Sequence, residues 1–192
     1  MGHAFFARDA LVVAPELLHK VLVHDDPVHG RIAARLVEVE AYRGVDDPGS
    51  HAFRGLTPRT AVMFGPGGRA YVYFVYGMHW CVNVVCGDEG KAAAVLLRAA
   101  APLEGLPVMR ERRRAARRDR DLASGPARLC EALAITGAQN GADLRKGALR
   151  ILDDGTPPPP APLITARIGL RTGQGDELPW RFSVPGDPNV SR

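Results

Sequence analysis

Cysteine is scarce in this chain: only three occur among its 192 residues, Cys81, Cys86 and Cys130, and none belongs to a Cys-x-x-Cys pair. A small, odd set argues against a disulfide framework, and no Cys/His spacing typical of zinc ligands is present. Long apolar runs are also missing, which excludes a membrane-spanning helix, and residues 1–15 lack the layout of a signal peptide. The sequence therefore predicts a soluble intracellular protein, cytoplasmic or, in a bacterium, associated with the nucleoid.

The motifs of two large enzyme classes are absent as well. The segment Gly65-Pro-Gly-Gly68 lacks the Gly-Lys-Ser/Thr ending of a phosphate-binding loop, and no Gly-x-Ser-x-Gly elbow of a serine hydrolase occurs. What remains is an ordinary globular composition, with 46% hydrophobic and 24% charged residues. A chain of this length suits one domain with its own core, which we expect to span residues 1–192.

Positive charge is concentrated in one short segment. The formal net charge is +4, and the stretch from Arg110 to Asp121 alone contains seven arginines against three acids, which equals the whole excess. A local arginine cluster could bind the phosphates of a nucleic acid and release counterions. A solvated Arg/Ala helix without a partner would have the same composition, and the sequence leaves both interpretations open.

The pattern of apolar residues predicts an α+β fold. Strands of mixed polarity together with segregated helices favour a single domain built on an antiparallel sheet. The predicted elements are a helix over residues 8–21 with Asp9 as N-cap and an interruption at Pro15, a strand over Ile32–Tyr42, a polar loop to Pro58, two strands over residues 70–86 that fold at Tyr76-Gly77-Met78, a strand over Ala92–Ala99, a helix from an N-cap at Ser124 to about Leu133, and a stiff surface loop at Pro157–Pro160.

Two acidic residues lie on the first predicted strand at a spacing of two. Glu38 and Glu40 would face the same side, together with Leu36 and Tyr42. Paired carboxylates on a strand face suit a general base or cation ligands, whereas an exposed edge strand would simply present them to water. Arg98 ends an apolar run and needs an anionic partner, for which Glu40 is a candidate.

A metal site is the alternative use of the acidic residues. Glu38, Glu40, Asp46, Asp47 and His51 are close in sequence, and hard cations favour such oxygen ligands. No recognised ligand spacing connects them, however. The sequence therefore gives metal-dependent hydrolysis little support.

Aromatic residues are concentrated in the hairpin predicted over residues 70–86. Tyr71, Phe74 and Trp80 are expected in the core. Tyr76 is different because it lies at the predicted tip, where no core is available. An aromatic ring on a rigid tip can enter a base stack, although a tyrosine lying back on the sheet would fit the same sequence.

Several of these segments together resemble one known family. Leu36-Val-Glu-Val-Glu-Ala-Tyr42, then His51, then Tyr71-Val-Tyr-Phe-Val-Tyr-Gly-Met78 with Asn83, and then Val95-Leu-Leu-Arg98 are similar to the alkyladenine (3-methyladenine) DNA glycosylases. Ser124-Gly-Pro126 and Arg181–Gly186 extend the likeness almost to the last residue. Several separated motifs in the same order make this resemblance specific.

The resemblance implies a fold and an activity. The fold is a single α+β domain with a curved antiparallel sheet, a protruding hairpin and flanking helices. The activity is monofunctional: an alkylated or deaminated purine, such as 3-methyladenine, 7-methylguanine, hypoxanthine or ethenoadenine, is flipped out of double-stranded DNA and its N-glycosidic bond is hydrolysed, which leaves an abasic site. Water is the nucleophile, no metal or other cofactor is needed, and a monomer is expected. A non-catalytic lesion-binding protein and a metal-dependent nuclease are the alternatives.

The resemblance also assigns roles to single residues. Glu40 corresponds to the general base, Arg98 to the arginine that helps to hold the water, and Glu38 to an acid with structural support only. The residues expected to contact the DNA are Tyr42 and His51 on one side of the flipped base, Tyr73 on the other side, Asn83 against the exocyclic amine of normal guanine, Tyr76 as the intercalating residue, and Thr57, Arg59, Met78 and Arg128 along the backbone.

Overall fold

The structure is a computed structural model that describes residues 1–191. Its main element is a sheet of eight strands. The strands are β1 (Val21–Asp26), β2 (Gly30–Tyr42), β3 (Ala70–Val75), β4 (His79–Cys86), β5 (Ala93–Glu104), β6 (Leu149–Leu152), β7 (Leu163–Thr165) and β8 (Arg181–Ser183).

All strand pairs are antiparallel, and six strands follow one another in the order β3-β4-β5-β2-β1-β6. Strand β2 is the longest, and β1 pairs with its first half while the small β7–β8 ribbon pairs with its second half at Glu38–Glu40. This position makes β2 a central strand with neighbours on both sides. The edge-strand interpretation of its two glutamates is therefore wrong.

Four short helices flank the sheet. They are α1 (His3–Phe6), α2 (Ala10–Leu17), α3 (Leu106–Arg112) and α4 (Pro126–Ala132), and short 3-10 turns occur at Gly44–Asp46, His51–Arg54, Ala61–Phe64, Asp119–Asp121 and Gly137–Gln139. Helices α2 and α4 pack on one sheet face and form the main core with strand residues such as Val39, Val84 and Leu97. Together these elements form the predicted single α+β domain with its curved sheet.

The opposite face of the sheet carries several of the residues that the sequence predicts at the functional site, such as Asn83. On β3, Val72 belongs to the main core while Tyr71 points to the other face and packs with Ala52 and Met63 of the loop that follows β2. The same alternation separates Val84 from Asn83 on β4. The loop over residues 43–65 therefore covers this second face and leaves room for a cavity beneath it.

The alternation along β2 changes beside the glutamates. The pairing between β2 and β5 shifts on both sides of Glu38, and Leu36 and Val39 both belong to the main core although they are three residues apart. An irregularity of this kind reorients side chains relative to a regular strand. Glu38, Glu40 and Tyr42 therefore lie on one face as predicted, but Leu36 lies on the opposite face, which corrects the sequence analysis.

Both predicted helices need correction at their ends. The first helix begins after Asp9, whose carboxylate accepts a hydrogen bond from the Leu11 N–H, but it ends at Leu17 because β1 begins at Val21. The second has Gly125 at its N-cap instead of Ser124, which forms an isolated bridge with Ala99. Six of the helices and strands have no counterpart among the elements predicted from the sequence, namely α1, α3, β1, β6, β7 and β8.

The hairpin of β3 and β4 matches its prediction closely. Its turn lies at Tyr76-Gly77, where both residues have positive φ angles of 53° and 69°. Two consecutive positive φ angles are the geometry of a type I′ turn, which fits the twist of a tight hairpin. Tyr71 is buried and Trp80 packs against the core, but Phe74 is 47% exposed and contacts Trp80 with its ring tilted by 50°, so its predicted core position is wrong.

No helix among residues 1–191 combines the length and the apolar character needed to cross a bilayer.

Candidate active site

A cavity of about 310 Å³ opens on the second face of the sheet, between the hairpin, the loop after β2 and the segment that follows β7. Six of the residues singled out from the sequence line it. They are Tyr42, His51, Tyr73, Tyr76, Asn83 and Arg98. Other lining residues include Met63, Tyr71, Leu96, Pro126 and the stretch Ile168-Gly-Leu170. The folding of the chain thus brings residues of β2, the loop after it, the β3–β4 hairpin, β5, α4 and the segment after β7 to one concave site.

Glu40 lies directly behind this wall and is fully buried. Its Oε2 accepts a hydrogen bond of 2.9 Å from the Tyr42 hydroxyl, and its Oε1 accepts one of 2.8 Å from the Ile168 backbone N–H. The Arg98 Nη1 lies 3.2 Å from Oε1. The two hydrogen-bond donors and the arginine all belong to residues that line the cavity, and Oε2 retains the capacity to accept a second hydrogen bond, for example from a water molecule.

Tyr42 is suited to remain a donor in this pair. Burial of the ring and the adjacent Glu40 carboxylate both raise the pKa of Tyr42 well above its ordinary value. The phenol therefore stays protonated at physiological pH and donates to the carboxylate.

Arg98 also binds Glu38, the other acidic residue of β2. Its Nε donates to Glu38 Oε1 at 3.3 Å, and the same oxygen accepts a bond of 2.9 Å from Arg181 Nη1. Glu38 Oε2 accepts from the Ser191 N–H at 2.7 Å, so the buried carboxylate is fully satisfied. The structure thus confirms an acidic partner for Arg98 and adds Glu38 to Glu40.

The aromatic wall differs from the expected arrangement in one respect. The rings of His51 and Tyr73 are perpendicular, with centroids 4.5 Å apart, so no base fits between these two residues. His51 Nδ1 lies 3.0 Å from the Tyr71 hydroxyl, and Tyr71 stacks on Tyr73. His51 and Tyr73 therefore form one corner of the cavity, whereas the sequence analysis placed them on opposite sides of the base.

Electrostatics keeps this corner neutral. His51 is exposed towards the cavity, but desolvation of its ring against Tyr71 and Tyr73 and the neighbouring Arg59 guanidinium lower its pKa to about 4. Burial likewise raises the pKa of Tyr71 and of Tyr73. At neutral pH the imidazole and both phenols are uncharged, which suits contact with an aromatic base.

The remaining predicted residues lie at the cavity floor, at its rim or outside it. Asn83 is buried on β4 and its Nδ2 donates to the Tyr71 carbonyl at 3.2 Å. Tyr76 is 82% exposed at the hairpin tip. The four residues predicted along the DNA backbone do not line the cavity and are exposed at the surface. They are Thr57, Arg59, Met78 and Arg128, of which Arg59 lies over the Tyr73 ring at 5.6 Å and Arg128 donates to Ser124.

The sequence pattern did not predict Arg167, whose guanidinium packs on the Tyr42 ring outside the cavity. Arg167 is buried and binds both oxygens of Asp47, at 2.6 and 2.8 Å. Its neighbour Ile168 supplies the N–H that reaches Glu40. Arg167 lies in an irregular segment without apolar periodicity, so no local signal was available, and Asp47 had been considered only as a cation ligand.

Three of the four acidic residues that suggested a metal site, Glu38, Glu40 and Asp47, form ion pairs with arginines. Arg167 binds Asp47, while Arg98 and Arg181 bind Glu38. Within residues 1–191 no three His, Cys, Asp or Glu side chains are grouped so that they could hold a metal ion.

Comparison with known proteins agrees with this geometry. The sequence model of the methylpurine-DNA glycosylase (MPG) family matches residues 4–188. Three relatives carry the provisional name 3-methyladenine DNA glycosylase. The protein of Burkholderia cenocepacia (strain HI2424) is 55% identical over 98% of this chain and 89% of its own length. That of Streptomyces avermitilis is 53% identical over 97% and 88%, and that of Methanoculleus marisnigri is 47% identical over 98% and 97%.

The family model covers nearly the whole chain, and the relatives are similar along almost their full length. Both findings assign the chain to the same family. The chain belongs to the methylpurine-DNA glycosylase family and is a monofunctional DNA glycosylase, a hydrolase of DNA repair.

Proposed function

We propose that this enzyme flips alkylated or deaminated purines out of double-stranded DNA into the cavity and hydrolyses the N-glycosidic bond with a water molecule activated by Glu40. The observation that carries the proposal is the buried Glu40 carboxylate, which three cavity-lining residues hold in place and whose Oε2 keeps an acceptor position free. Burial of an acid with this degree of support, directly behind an aromatic cavity, suits a general base.

The energetics of flipping suit the aromatic residues around the cavity. Extrusion of a nucleotide costs a few kcal/mol and least for a damaged or mispaired base. Stacking of a base on an aromatic ring returns about 1–3 kcal/mol. Contacts with Tyr42 and Tyr73, together with Tyr76 in the space that the base vacates, could therefore offset the cost.

The chemistry needs one proton acceptor and one stabilised charge. As the bond between C1′ and the base nitrogen breaks, its electron pair leaves with the purine and positive charge develops on the sugar. An ionised Glu40 stabilises this charge and takes a proton from the attacking water, whose oxygen forms the new bond to C1′. Arg98 lies beside the carboxylate and helps to hold the water. Neither a metal nor another cofactor takes part in these steps.

The substrate range follows from charge and shape. The names of the relatives point to 3-methyladenine. We extend the range to 7-methylguanine, hypoxanthine and ethenoadenine. Alkylation that makes a purine cationic weakens the glycosidic bond and strengthens stacking on the tyrosine rings. Asn83 on the cavity floor would crowd the exocyclic amine of normal guanine and so exclude it.

The DNA surface surrounds the mouth of the cavity. We assign backbone contacts to four exposed residues of the loop, the hairpin and helix α4: Thr57, Arg59, Met78 and Arg128. The enzyme would act as a monomer, since one chain provides every residue in this scheme. Its substrate also implies an intracellular location, near the chromosome.

The decisive experiment is a base-release assay on duplexes that each contain one of the four lesions, carried out in EDTA. We expect free base to appear and the strand to break only after alkali treatment. Borohydride should trap no covalent DNA adduct, because the scheme uses water instead of an amine. Direct strand scission that EDTA abolishes would indicate a metal-dependent nuclease, and tight lesion binding without any base release would indicate a non-catalytic lesion-binding protein.

A further inference from the structure

The Glu40 carboxylate accepts two hydrogen bonds, from Tyr42 and from Ile168, and Arg167 adjoins both of these residues. Tyr42 donates to Oε2, and the Cζ of Arg167 lies 4.6 Å from the centroid of the Tyr42 ring. Ile168 donates to Oε1 and is the next residue in the chain. The guanidinium also donates to the carbonyl of Ala41, the residue between Glu40 and Tyr42, at 3.1 Å.

The guanidinium itself is fixed from several directions. Asp47 binds it in a bidentate pair whose two side chains are fully buried, and the Gly175 carbonyl accepts a further bond of 3.2 Å. The Trp180 ring lies 4.9 Å away, so the cation is in contact with two aromatic rings. The site is tightly packed, because a methyl group added at Gly49 would come within 2.9 Å of Nη2.

We propose that Arg167 is a positioning residue for the glycosylase reaction: it fixes the Tyr42 hydroxyl and the Ile168 N–H, and through them the orientation of the Glu40 carboxylate. The proposal rests on the function proposed above. Arg167 does not line the cavity and touches no substrate in this scheme. Its effect is therefore on the geometry of the general base.

Arginine is required here because of its shape as well as its charge. Its planar fork matches the two oxygens of Asp47 while its face stacks on aromatic rings, and a lysine ammonium can do neither. Arg167→Lys keeps the positive charge next to Asp47 and avoids an unpaired buried carboxylate. It removes the bidentate geometry and the stacking, and so releases Tyr42 and Ile168.

The test compares Arg167→Lys with a matched exchange elsewhere. Arg145→Lys alters another bidentate arginine–aspartate pair, with Asp143, whose residues do not line the cavity and lie outside the arginine-rich segment. Base release is measured under single turnover on duplexes that contain hypoxanthine. Binding is measured separately with a duplex that carries an uncleavable abasic analogue, and folding is followed by the thermal midpoint.

We expect Arg167→Lys to slow base release by roughly 30- to 100-fold, because a small displacement of a catalytic group can cost about two orders of magnitude. Affinity for the abasic duplex should stay within about threefold of the wild type, since that ligand leaves the base site empty. Arg145→Lys should also lower the thermal midpoint, while base release stays within about twofold of the wild type.

Base release by Arg167→Lys within twofold of the wild type would overturn the proposal. So would equal losses of base release in the two lysine variants, because Arg167 would then only support the fold. Trp180→Leu provides a second test that keeps the ion pair: if Arg167→Lys does not fold, a loss of about threefold or more in Trp180→Leu supports the proposal and an unchanged rate overturns it. A wild-type protein that releases no base from any lesion would instead refute the proposed function.

Discussion

At the scale of single residues, the environment of Glu40 decides the chemistry. The carboxylate is fully buried, but it accepts hydrogen bonds from Tyr42 and Ile168 and forms an ion pair with Arg98. A buried acid is costly without such partners, and the contacts given by residues 1–191 include no acceptor for a carboxyl proton. The surroundings of this residue therefore suit proton abstraction from water better than proton donation to a leaving group.

Glu40→Gln tests this role directly. The amide has the same shape but cannot accept a proton, so we expect base release to fall by about 10²–10⁴-fold while affinity for lesion DNA changes little. Single-turnover kinetics and a binding titration provide the two measurements. Glu104→Gln is the control, because Glu104 is exposed and its one ion pair among residues 1–191 is with Arg31. Turnover close to that of the wild type would remove Glu40 from the mechanism.

His51 predicts a specific pH dependence of stability. Its pKa is lowered from 6.5 to about 4, chiefly by desolvation of the ring, so the folded state binds this proton less readily than the unfolded state. The stabilisation is therefore fully present above about pH 6.5 and is lost as the pH falls towards 4. Asp143, whose pKa Arg145 lowers to about 2, titrates below this window.

We expect the thermal midpoint of the wild type to fall more steeply between pH 6.5 and pH 4 than that of His51→Gln, which cannot take up the proton. Thermal denaturation of both proteins at the two ends of this range is the measurement. Parallel curves would show that His51 is equally easy to protonate in the folded and unfolded states.

At the scale of elements, the hairpin of β3 and β4 carries at its tip a residue that destabilises the turn. Tyr76 occupies a left-handed position, with φ at 53°, although its bulky side chain gains nothing from the core because it is 82% exposed. Such a conformation costs a non-glycine residue about 1–2 kcal/mol. A tyrosine retained at this cost fits a ring that enters the base stack.

Tyr76→Asn should therefore separate the two properties. Asparagine tolerates the left-handed region and Asn-Gly favours a type I′ turn, so we expect a thermal midpoint equal to or above that of the wild type. Loss of the ring should weaken binding to lesion DNA by roughly tenfold or more. The control is Val28→Asn in the turn of the β1–β2 hairpin, where an apolar side chain is also exposed. Unchanged DNA affinity in Tyr76→Asn would argue against intercalation.

How well each element could be predicted depended on whether its signal was local. The hairpin turn follows from Tyr-Gly between two aromatic, β-branched runs, and the Glu40–Tyr42 pair follows from the period of a strand. Strands β7 and β8 have only three residues each, and they exist because they pair with each other and with β2. Elements of that length carry no periodic pattern, so the sequence alone could not reveal them.

At the scale of the whole molecule, the arginine-rich segment is less cationic than its composition suggests. Four of its seven arginines form ion pairs, namely Arg110 with Asp119, Arg112 with Asp26, Arg113 with Glu131, and Arg118 with Asp121. The segment is also not one continuous helix, because α3 ends at Arg112. Only part of its charge is therefore available to DNA.

Arg114 and Arg117 are the two exposed arginines of this segment that have no ion pair within the described residues. If the segment contacts phosphates, the double variant Arg114→Gln/Arg117→Gln should reduce the slope of log affinity against log salt by about 1–2. Affinity titrations at several salt concentrations give the slope. A double variant of the exposed Arg31 and Lys146 to Gln is the control for net charge. An unchanged slope in Arg114→Gln/Arg117→Gln would show that the segment faces solvent.

The sequence by itself determined the parts of this protein that depend on neighbours along the chain: the central strand with Glu38 and Glu40 on one face, the hairpin with Tyr76 at its tip, and the motifs of the family. The tertiary structure alone decided what surrounds the carboxylates. The Ile168 N–H reaches Glu40 across 128 positions in sequence, and Arg167 reaches Asp47 across 120. Contacts between such distant segments arise only when the sheet and its loops pack together, because short-range periodicity carries no information about which irregular segment will cover a strand.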